Sequence, residues 1–206
     1  MNIIKNESII LEFISNRCFT VLKDKTVLEL GPQDGTWFTP FIEQVATSVT
    51  CIEFNLTMCD DFKNLYANNP KIKLIQDDFH DAVNYVGYHD AVVLFGVLYH
   101  SPAPLKIIED IANNIAPKII LLESWDFKEP THIVTEEINV PGNRQSRKKT
   151  CGFALTHSAE IYISALKSLG YQLVEKFVLK EEIQTNQEFK QRGIYMTFIN
   201  QDVENN

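Results

Sequence analysis

Short apolar segments that alternate with helix-patterned segments are the feature that most constrains this chain. Five such segments cover Thr26–Leu30, Val49–Phe54, Ile72–Ile75, Ala91–Phe95 and Lys118–Glu123. Apolar segments without internal alternation are typical of strands that are buried on both faces of a parallel sheet. Apolar residues at helical spacing lie between several of them, so the pattern predicts a doubly wound α/β fold.

The last third of the sequence adds two strands in direct succession. A helix is predicted over about 157–169, and Tyr171–Leu179 and Ile194–Asn200 have strand patterns with no helix between them. Successive strands of this kind pair antiparallel at one end of a sheet. We therefore predict a Rossmann-like, mostly parallel seven-stranded sheet with an antiparallel terminal strand, preceded by a helix near residues 3–22.

The chain has the size and composition of one domain. Its 206 residues, 45% of them hydrophobic, suffice for one sizeable core and leave little room for two. Periodic patterning fades over residues 125–153, which contain Pro130, Pro141 and Gly142. We expect a single domain, 1–206, in which 125–153 forms a lid or a substrate-binding insertion.

Charge and cysteine content narrow the classes of function. A net charge of −8 argues against duplex binding, so no DNA partner is expected. The beginning of the sequence lacks signal-peptide organisation, and no apolar segment approaches the roughly 18 residues of a membrane span. Four cysteines without a C-x-x-C pair favour reduced thiols over a zinc site or a disulfide framework. A cytoplasmic protein without a membrane partner or a bound metal is expected, and the oligomeric state stays open.

Polar and glycine residues follow several of the predicted strands. In open α/β sheets, ligands bind outside the carboxyl ends of the strands. Gly31 and Gly35 follow the first strand, where they allow close approach of a ligand or simply a tight βα turn. Glu53 ends the second strand and is either a ribose-binding carboxylate or a surface residue. Asp78 and Phe79 follow the third strand and suit adenine binding, loop capping or core packing.

Two segments resemble motifs of class I S-adenosylmethionine-dependent methyltransferases. The segment 27–38, which contains Leu28-Glu29-Leu30-Gly31-Pro32-Gln33-Asp34-Gly35, is similar to the first motif of that family. The segment 89–102 is similar to the fourth-strand motif. Its Leu98-Tyr99-His100 ending and proline-containing turn resemble small-molecule methyltransferases and the tRNA wobble-uridine carboxymethyltransferase group. The likeness is close over residues 26–123 and looser over 156–200.

The resemblance implies S-adenosylmethionine as the cofactor and assigns it a set of binding residues. These are Glu29, Gly31, Gln33, Asp34, Gly35, Glu53, Phe54, Asp78, Phe79, Phe95 and Gly96. The loop 29–35 would hold the methionine part, Glu53 the ribose hydroxyls and Phe54 the adenine. Asp78 and Phe79 would bind the adenine through a carboxylate and a backbone amide. Phe95 and Gly96 would border the sulfonium.

The same loop disfavours a nicotinamide dinucleotide. That class of site uses G-x-G-x-x-G, so that the pyrophosphate can lie against the helix N-terminus. Gln33 and Thr36 occupy the second and third glycine positions here. An S-adenosylmethionine site has no pyrophosphate to accommodate. Gln33 is also a departure from the methyltransferase family, whose usual residue at that position is glycine.

The acceptor side of the reaction is less constrained. His100 follows the fourth strand and is the candidate general base for a hydroxyl acceptor, although a histidine there can equally cap or order a loop. Arg144 and Arg147 belong to a basic run over 144–149. That run predicts an anionic acceptor, such as a phosphorylated sugar or a nucleotide-linked intermediate, and is equally consistent with a solvated loop.

Three functions remain open at this stage. The first is methylation of a small, anionic metabolite or sugar derivative. The second is methylation of tRNA, against which stand the net charge and the lack of an appended RNA-binding domain. The third is a non-catalytic cofactor-binding subunit. The third is disfavoured by the intact first-motif loop together with Glu53 and Asp78, so the sequence favours the first.

Overall fold

The computed structural model of the protein describes residues 12–17, 20–124, 131–134, 154–178 and 194–201. Nine strands lie within these ranges: β1 (Thr26–Leu30), β2 (Ser48–Glu53), β3 (Ile72–Gln76), β4 (Ala91–Leu94), β5 (Ile119–Ser124), β6 (Thr131–Val134), β7 (Ala154–His157), β8 (Tyr171–Val178) and β9 (Ile194–Asn200). Seven of them form one sheet in the order β3-β2-β1-β4-β5-β9-β8. These seven are the predicted strands.

The direction of the strands confirms the predicted fold class. Strands β1 to β5 are mutually parallel, whereas β9 runs antiparallel to both β5 and β8. The chain therefore inserts β9 between two strands that precede it. Strand order reverses between β1 and β4, which is where an open α/β sheet forms its ligand-binding crevice.

Helices cover both faces of the sheet. They are α1 (within 12–21), α2 (Thr39–Val45), α3 (Leu56–Tyr66), α4 (Phe79–Ala82), α5 (Pro104–Asp110) and α6 (Ala159–Ser168). The predicted helix after residue 103 changes to a π-helical turn over Ile111–Ile115 and ends at Ala116, whose φ angle is 49°. The described part of α1 confirms the predicted N-terminal helix over residues 12–17 and 20–21.

The sequence did not predict a second, two-stranded sheet. β6 lies within the stretch 125–153, where patterning fades, and pairs antiparallel with β7. Because each strand has only four residues, neither carries enough apolar alternation to be recognised.

Two apolar layers sandwich the sheet, because successive side chains of a strand point to opposite faces. Val92 and Leu94 of β4 belong to the layer under α5 and α6, and Val93 belongs to the layer under α1, α2 and α3. Phe13 of α1 stacks on Phe177 of β8 with ring centroids 4.4 Å apart. The central strands β4 and β5 are thus buried on both faces.

None of the helices in the described ranges is long and apolar enough to cross a membrane. Cys51 and Cys59 are buried free thiols. The other two cysteines, Cys18 and Cys151, lie outside the described residues.

Candidate functional site

A cavity of about 310 Å³ opens at the carboxyl ends of β1, β2 and β4. This volume lies within the range of small-molecule sites, about 300–1,000 Å³. Its walls are formed by Gly31, Gln33, Ile52, Glu53, Phe54, Asn55, Met58, Asp78, Phe79, His80, Gly96, Val97 and His100. The cavity therefore lies at the point where the order of the strands reverses.

The loop after β1 approaches the cavity through backbone of unusual conformation. Gly31 has a φ angle of 65°, and a Cβ on it would lie 3.1 Å from Val97 Cγ2. Gln33 has a φ angle of 57°, although it carries a side chain. The residue that replaces the family's usual glycine thus keeps the left-handed conformation that glycine adopts most easily.

Gly35 is required for packing and does not line the cavity. A Cβ on it would lie 2.6 Å from Phe62 Cδ2 and 2.7 Å from Tyr66 Cε2, both on α3. The Tyr66 hydroxyl donates a hydrogen bond of 2.8 Å to the Gly35 carbonyl. Gly35 therefore fixes the loop against α3 and leaves the approach to the ligand to Gly31 and Gln33.

Glu53 is a buried carboxylate held by the backbone. Its Oε1 accepts from the Asn55 N–H at 2.8 Å, and its Oε2 accepts from the Gln33 N–H at 3.1 Å. Burial raises the pKa of Glu53, while these N–H groups and the nearby His100 oppose that rise. The backbone N–H of Phe54 also contributes to holding this carboxylate, and Glu53 itself lines the cavity.

Glu29 lies behind the loop, under α2, and is not part of the cavity wall. Its carboxyl is 2% exposed and accepts from the Thr39 hydroxyl at 2.8 Å and from the Cys51 thiol at 3.6 Å. Burial raises the pKa of Glu29 to about 7. The side chain therefore supports the first loop from below.

Asp78 begins a chain of hydrogen bonds that crosses the mouth of the cavity. It caps α4 by accepting from the His80 N–H, and His80 Nδ1 lies 2.6 Å from the same carboxylate oxygen. His80 Nε2 lies 2.8 Å from Ser101 Oγ, which also accepts from the Ala103 N–H at 3.0 Å. Phe79 stacks on His80 with ring centroids 4.3 Å apart. The loop after β3 is thus tied to the turn after β4.

Phe95 and Gly96 directly follow β4 and differ in their position relative to the cavity. Phe95 is buried and packs edge-on against Phe38 and Tyr195, with ring centroids 5.1 and 5.5 Å apart. Gly96, with a φ angle of 70°, exposes its backbone to the cavity. His100 also lines the cavity and is close enough to Glu53 to lower the pKa of that carboxyl.

The structure brings most of the predicted cofactor residues together. The predicted residues that line the cavity are Gly31, Gln33, Glu53, Phe54, Asp78, Phe79, Gly96 and His100. Those that lie outside its wall are Glu29, Asp34, Gly35 and Phe95, while Arg144 and Arg147 lie outside the described residues. Wall residues that the sequence did not indicate are Ile52, Asn55, Met58, His80 and Val97. Of these, Asn55 carries a signal, because asparagine before a helical pattern is a preferred N-cap.

Comparison with known proteins agrees with this geometry. A family model described as a methyltransferase domain matches residues 7–175. Among solved structures, the N-terminal domain of EvdMO1, determined with S-adenosylhomocysteine and D-fucose, has a TM-score of 0.69 at 16% identity. That alignment covers 95% of this chain and 83% of the other. No curated protein matches the sequence.

Two further structures share the fold at similarly low identity. The N-methyltransferase NodS from Bradyrhizobium japonicum WM9, in complex with S-adenosylhomocysteine, has a TM-score of 0.67 at 16% identity, covering 95% of this chain and 88% of that one. The 1,6-didemethyltoxoflavin-N1-methyltransferase from Burkholderia thailandensis has a TM-score of 0.64 at 12% identity, with 92% and 77% covered. The chain therefore belongs to the methyltransferase domain family and has the fold of class I S-adenosylmethionine-dependent methyltransferases, as its sequence predicts.

Proposed function

We propose that the cavity binds S-adenosylmethionine and that the protein transfers its methyl group to a small-molecule acceptor. The observation that carries this proposal is the buried carboxylate of Glu53, which lines the cavity at the strand-order reversal and is held by backbone N–H groups, those of Gln33 and Asn55 among them. An acidic side chain at this position suits the paired hydroxyls of a ribose. The family membership and the cofactors in the neighbouring structures support the same conclusion.

The wall of the cavity fits the parts of this cofactor. Asp78 and Phe79 offer a carboxylate and an apolar ring to an adenine, and Met58 adds a further apolar side chain. Gly31 and Gln33 bring the loop backbone to the methionine end. We assign Glu29, Asp34, Gly35, Phe54 and Phe95 to the same site. Phe54 lines the cavity, and the other four residues lie outside its wall and support it.

Bound S-adenosylmethionine supplies an electrophilic methyl group on a sulfonium. The residues of this chain hold donor and acceptor in line, and such alignment accounts for much of the rate enhancement in displacements of this kind. Backbone at Gly96 and the aromatic cluster around Phe95 favour a cationic centre nearby. His100 is the residue we propose as a general base for a hydroxyl acceptor, because it lines the same cavity.

A small metabolite or sugar derivative is the proposed acceptor class. D-fucose is present in the EvdMO1 structure, and didemethyltoxoflavin names the substrate of another neighbour. Arg144 and Arg147 support an anionic group on the acceptor. Methyl-labelled cofactor incubated with pooled small metabolites and, separately, with bulk tRNA should label the metabolite pool. Label only in tRNA would contradict the proposed acceptor class.

Calorimetry with S-adenosylhomocysteine tests the cofactor assignment. The unaltered protein should bind it, and Glu53→Gln should weaken binding by about tenfold, because a charge-assisted hydrogen bond to a ribose hydroxyl is lost. Asp60→Asn, an exposed change on α3, is the matched control and should bind normally. Failure of the unaltered protein to bind would contradict the proposal.

A further inference from the structure

Three side chains form a hydrogen-bonded chain from the loop after β3 to the turn after β4. Asp78 Oδ1 lies 2.6 Å from His80 Nδ1, and His80 Nε2 lies 2.8 Å from Ser101 Oγ. An ionised carboxylate only accepts hydrogen bonds, so the hydrogen of the neutral imidazole belongs on Nδ1. Nε2 then accepts from the Ser101 hydroxyl. Both ring nitrogens of His80 are therefore committed to protein partners.

The far end of this chain is well anchored. Ser101 is buried, and its Oγ also accepts from the Ala103 N–H at 3.0 Å. The ring of His80 is in addition stacked on Phe79, which is itself buried. Because the ring cannot turn without losing these contacts, its Nδ1 presents a donor to Asp78 in a fixed position.

The near end of the chain belongs to the cavity. Asp78 Oδ1 accepts from the His80 N–H at 3.0 Å as well as from the ring, so two hydrogen bonds from one residue meet at one oxygen. The Asp78 side chain is nevertheless 39% exposed, and both Asp78 and His80 line the cavity. The ring of His80 therefore helps to set the orientation of a carboxylate that a ligand in the cavity can reach.

We propose that His80 is a positioning residue, which orients the Asp78 carboxylate toward the adenine amino group of the cofactor. This inference rests on the proposed function, which places the adenine beside Asp78 and Phe79. Without the Nδ1 donor, rotation of the carboxylate about its Cβ–Cγ bond is less restricted, and a poorly aimed acceptor selects its donor less well. Glu53 and the loop after β1 hold other parts of the cofactor, so His80 governs selectivity for the amino group more than overall binding.

Two ligands that differ in one group measure this selectivity. One is S-adenosylhomocysteine, and the other is its purine analogue, in which hydrogen replaces the adenine amino group. Calorimetry should show that the unaltered full chain binds S-adenosylhomocysteine about tenfold more tightly, because the amino group donates a charge-assisted hydrogen bond to Asp78. Equal affinity for the two ligands would overturn the proposal. Failure to bind either ligand would contradict the proposed cofactor instead.

A matched pair of amide substitutions separates the two ring nitrogens. An asparagine amide reaches the position of Nδ1 and a glutamine amide that of Nε2, while both remove the stacking on Phe79. His80→Asn should therefore keep a preference close to tenfold, whereas His80→Gln should reduce it to about twofold. A purely structural role would not produce this difference, since a loss of stability affects the binding of both ligands alike. Equal preferences in the two variants, whether kept or lost, would overturn the role of the Nδ1 bond.

The unaltered protein offers a second test that needs no stable variant. Nitrogen NMR at pH 8, with the ring signals assigned through the His80 backbone, should show a neutral imidazole with its hydrogen on Nδ1. This is the tautomer that donates to Asp78. A ring that carries its hydrogen on Nε2 would overturn the proposal, because Nδ1 would then have no hydrogen to donate to the carboxylate.

Discussion

Gly35 and Gly87 have nearly the same φ angle, 78° and 82°, in very different surroundings. A Cβ on Gly35 would collide with the rings of Phe62 and Tyr66, whereas a Cβ on Gly87 would meet nothing within 4 Å. The backbone cost of an L-residue in this conformation, about 1–2 kcal/mol, applies to both positions. The packing cost applies to Gly35 alone, so the pair separates the two effects.

We expect Gly87→Ala to lower the free energy of unfolding by about 1 kcal/mol. Gly35→Ala should lower it by about 3 kcal/mol or more, because the buried ring of Phe62 must move as well. Urea unfolding monitored by circular dichroism measures both values. Equal losses in the two variants would show that the contact with α3 costs nothing.

At the residue scale, the sequence predicted the carboxylates of the site better than the residues that connect one loop to another. Glu53 and Asp78 could be predicted because a carboxylate directly after a buried strand is chemically conspicuous. His80 could not, since its contribution depends on Ser101, which is distant in sequence and adjacent only after folding.

Among the secondary-structure elements, those with long periodic patterns were predicted and the short ones were not. The seven strands of the main sheet have apolar segments that few structures other than a buried strand could bury. The four-residue helix α4 and the turn Leu98–His100 are too short for periodicity to be visible, and they are stabilised by contacts between elements. These short elements supply Phe79, His80 and His100 of the cavity wall, so this part of the site was less predictable than the fold.

The contact between α4 and the turn before α5 is measurable as a coupling energy. In a double-mutant cycle, His80→Ala and Ser101→Ala should show a coupling of about 1 kcal/mol, because the bond between His80 Nε2 and Ser101 Oγ is lost only once. His80→Ala combined with Ser168→Ala on distant α6 should be additive. An additive result for the first pair would mean that the bond adds nothing to stability.

For the whole molecule, Glu29 makes stability depend on pH. Burial raises its pKa from the ordinary value of about 4.5 to about 7 in the folded protein, so the folded state binds the proton more tightly. This contribution to the free energy of unfolding is largest below pH 4.5 and is lost as the pH rises through 7. The full effect is about 3 kcal/mol.

Glu29→Gln should remove this component of the pH dependence. The variant should be more stable than the unaltered protein at pH 8 and close to it near pH 5, because an amide can still accept from Thr39 without becoming charged. Glu160→Gln, on the exposed side of α6, should keep the original pH dependence. Urea unfolding at several pH values measures the slope, and an unchanged slope in Glu29→Gln would contradict the burial effect.

The insertion of β9 between β5 and β8 determines the order in which neighbouring strands become available during synthesis. The residues that line the cavity lie between Gly31 and His100, so the ribosome has delivered all of them before β5 is complete. Tyr195, which anchors Glu123, is delivered much later. Until then the growing chain has an unpaired apolar strand edge at β5, which is a surface for misassociation. The residues of the cavity are thus synthesised before β9, and in the interval the edge of β5 is the part of the sheet most open to wrong pairing.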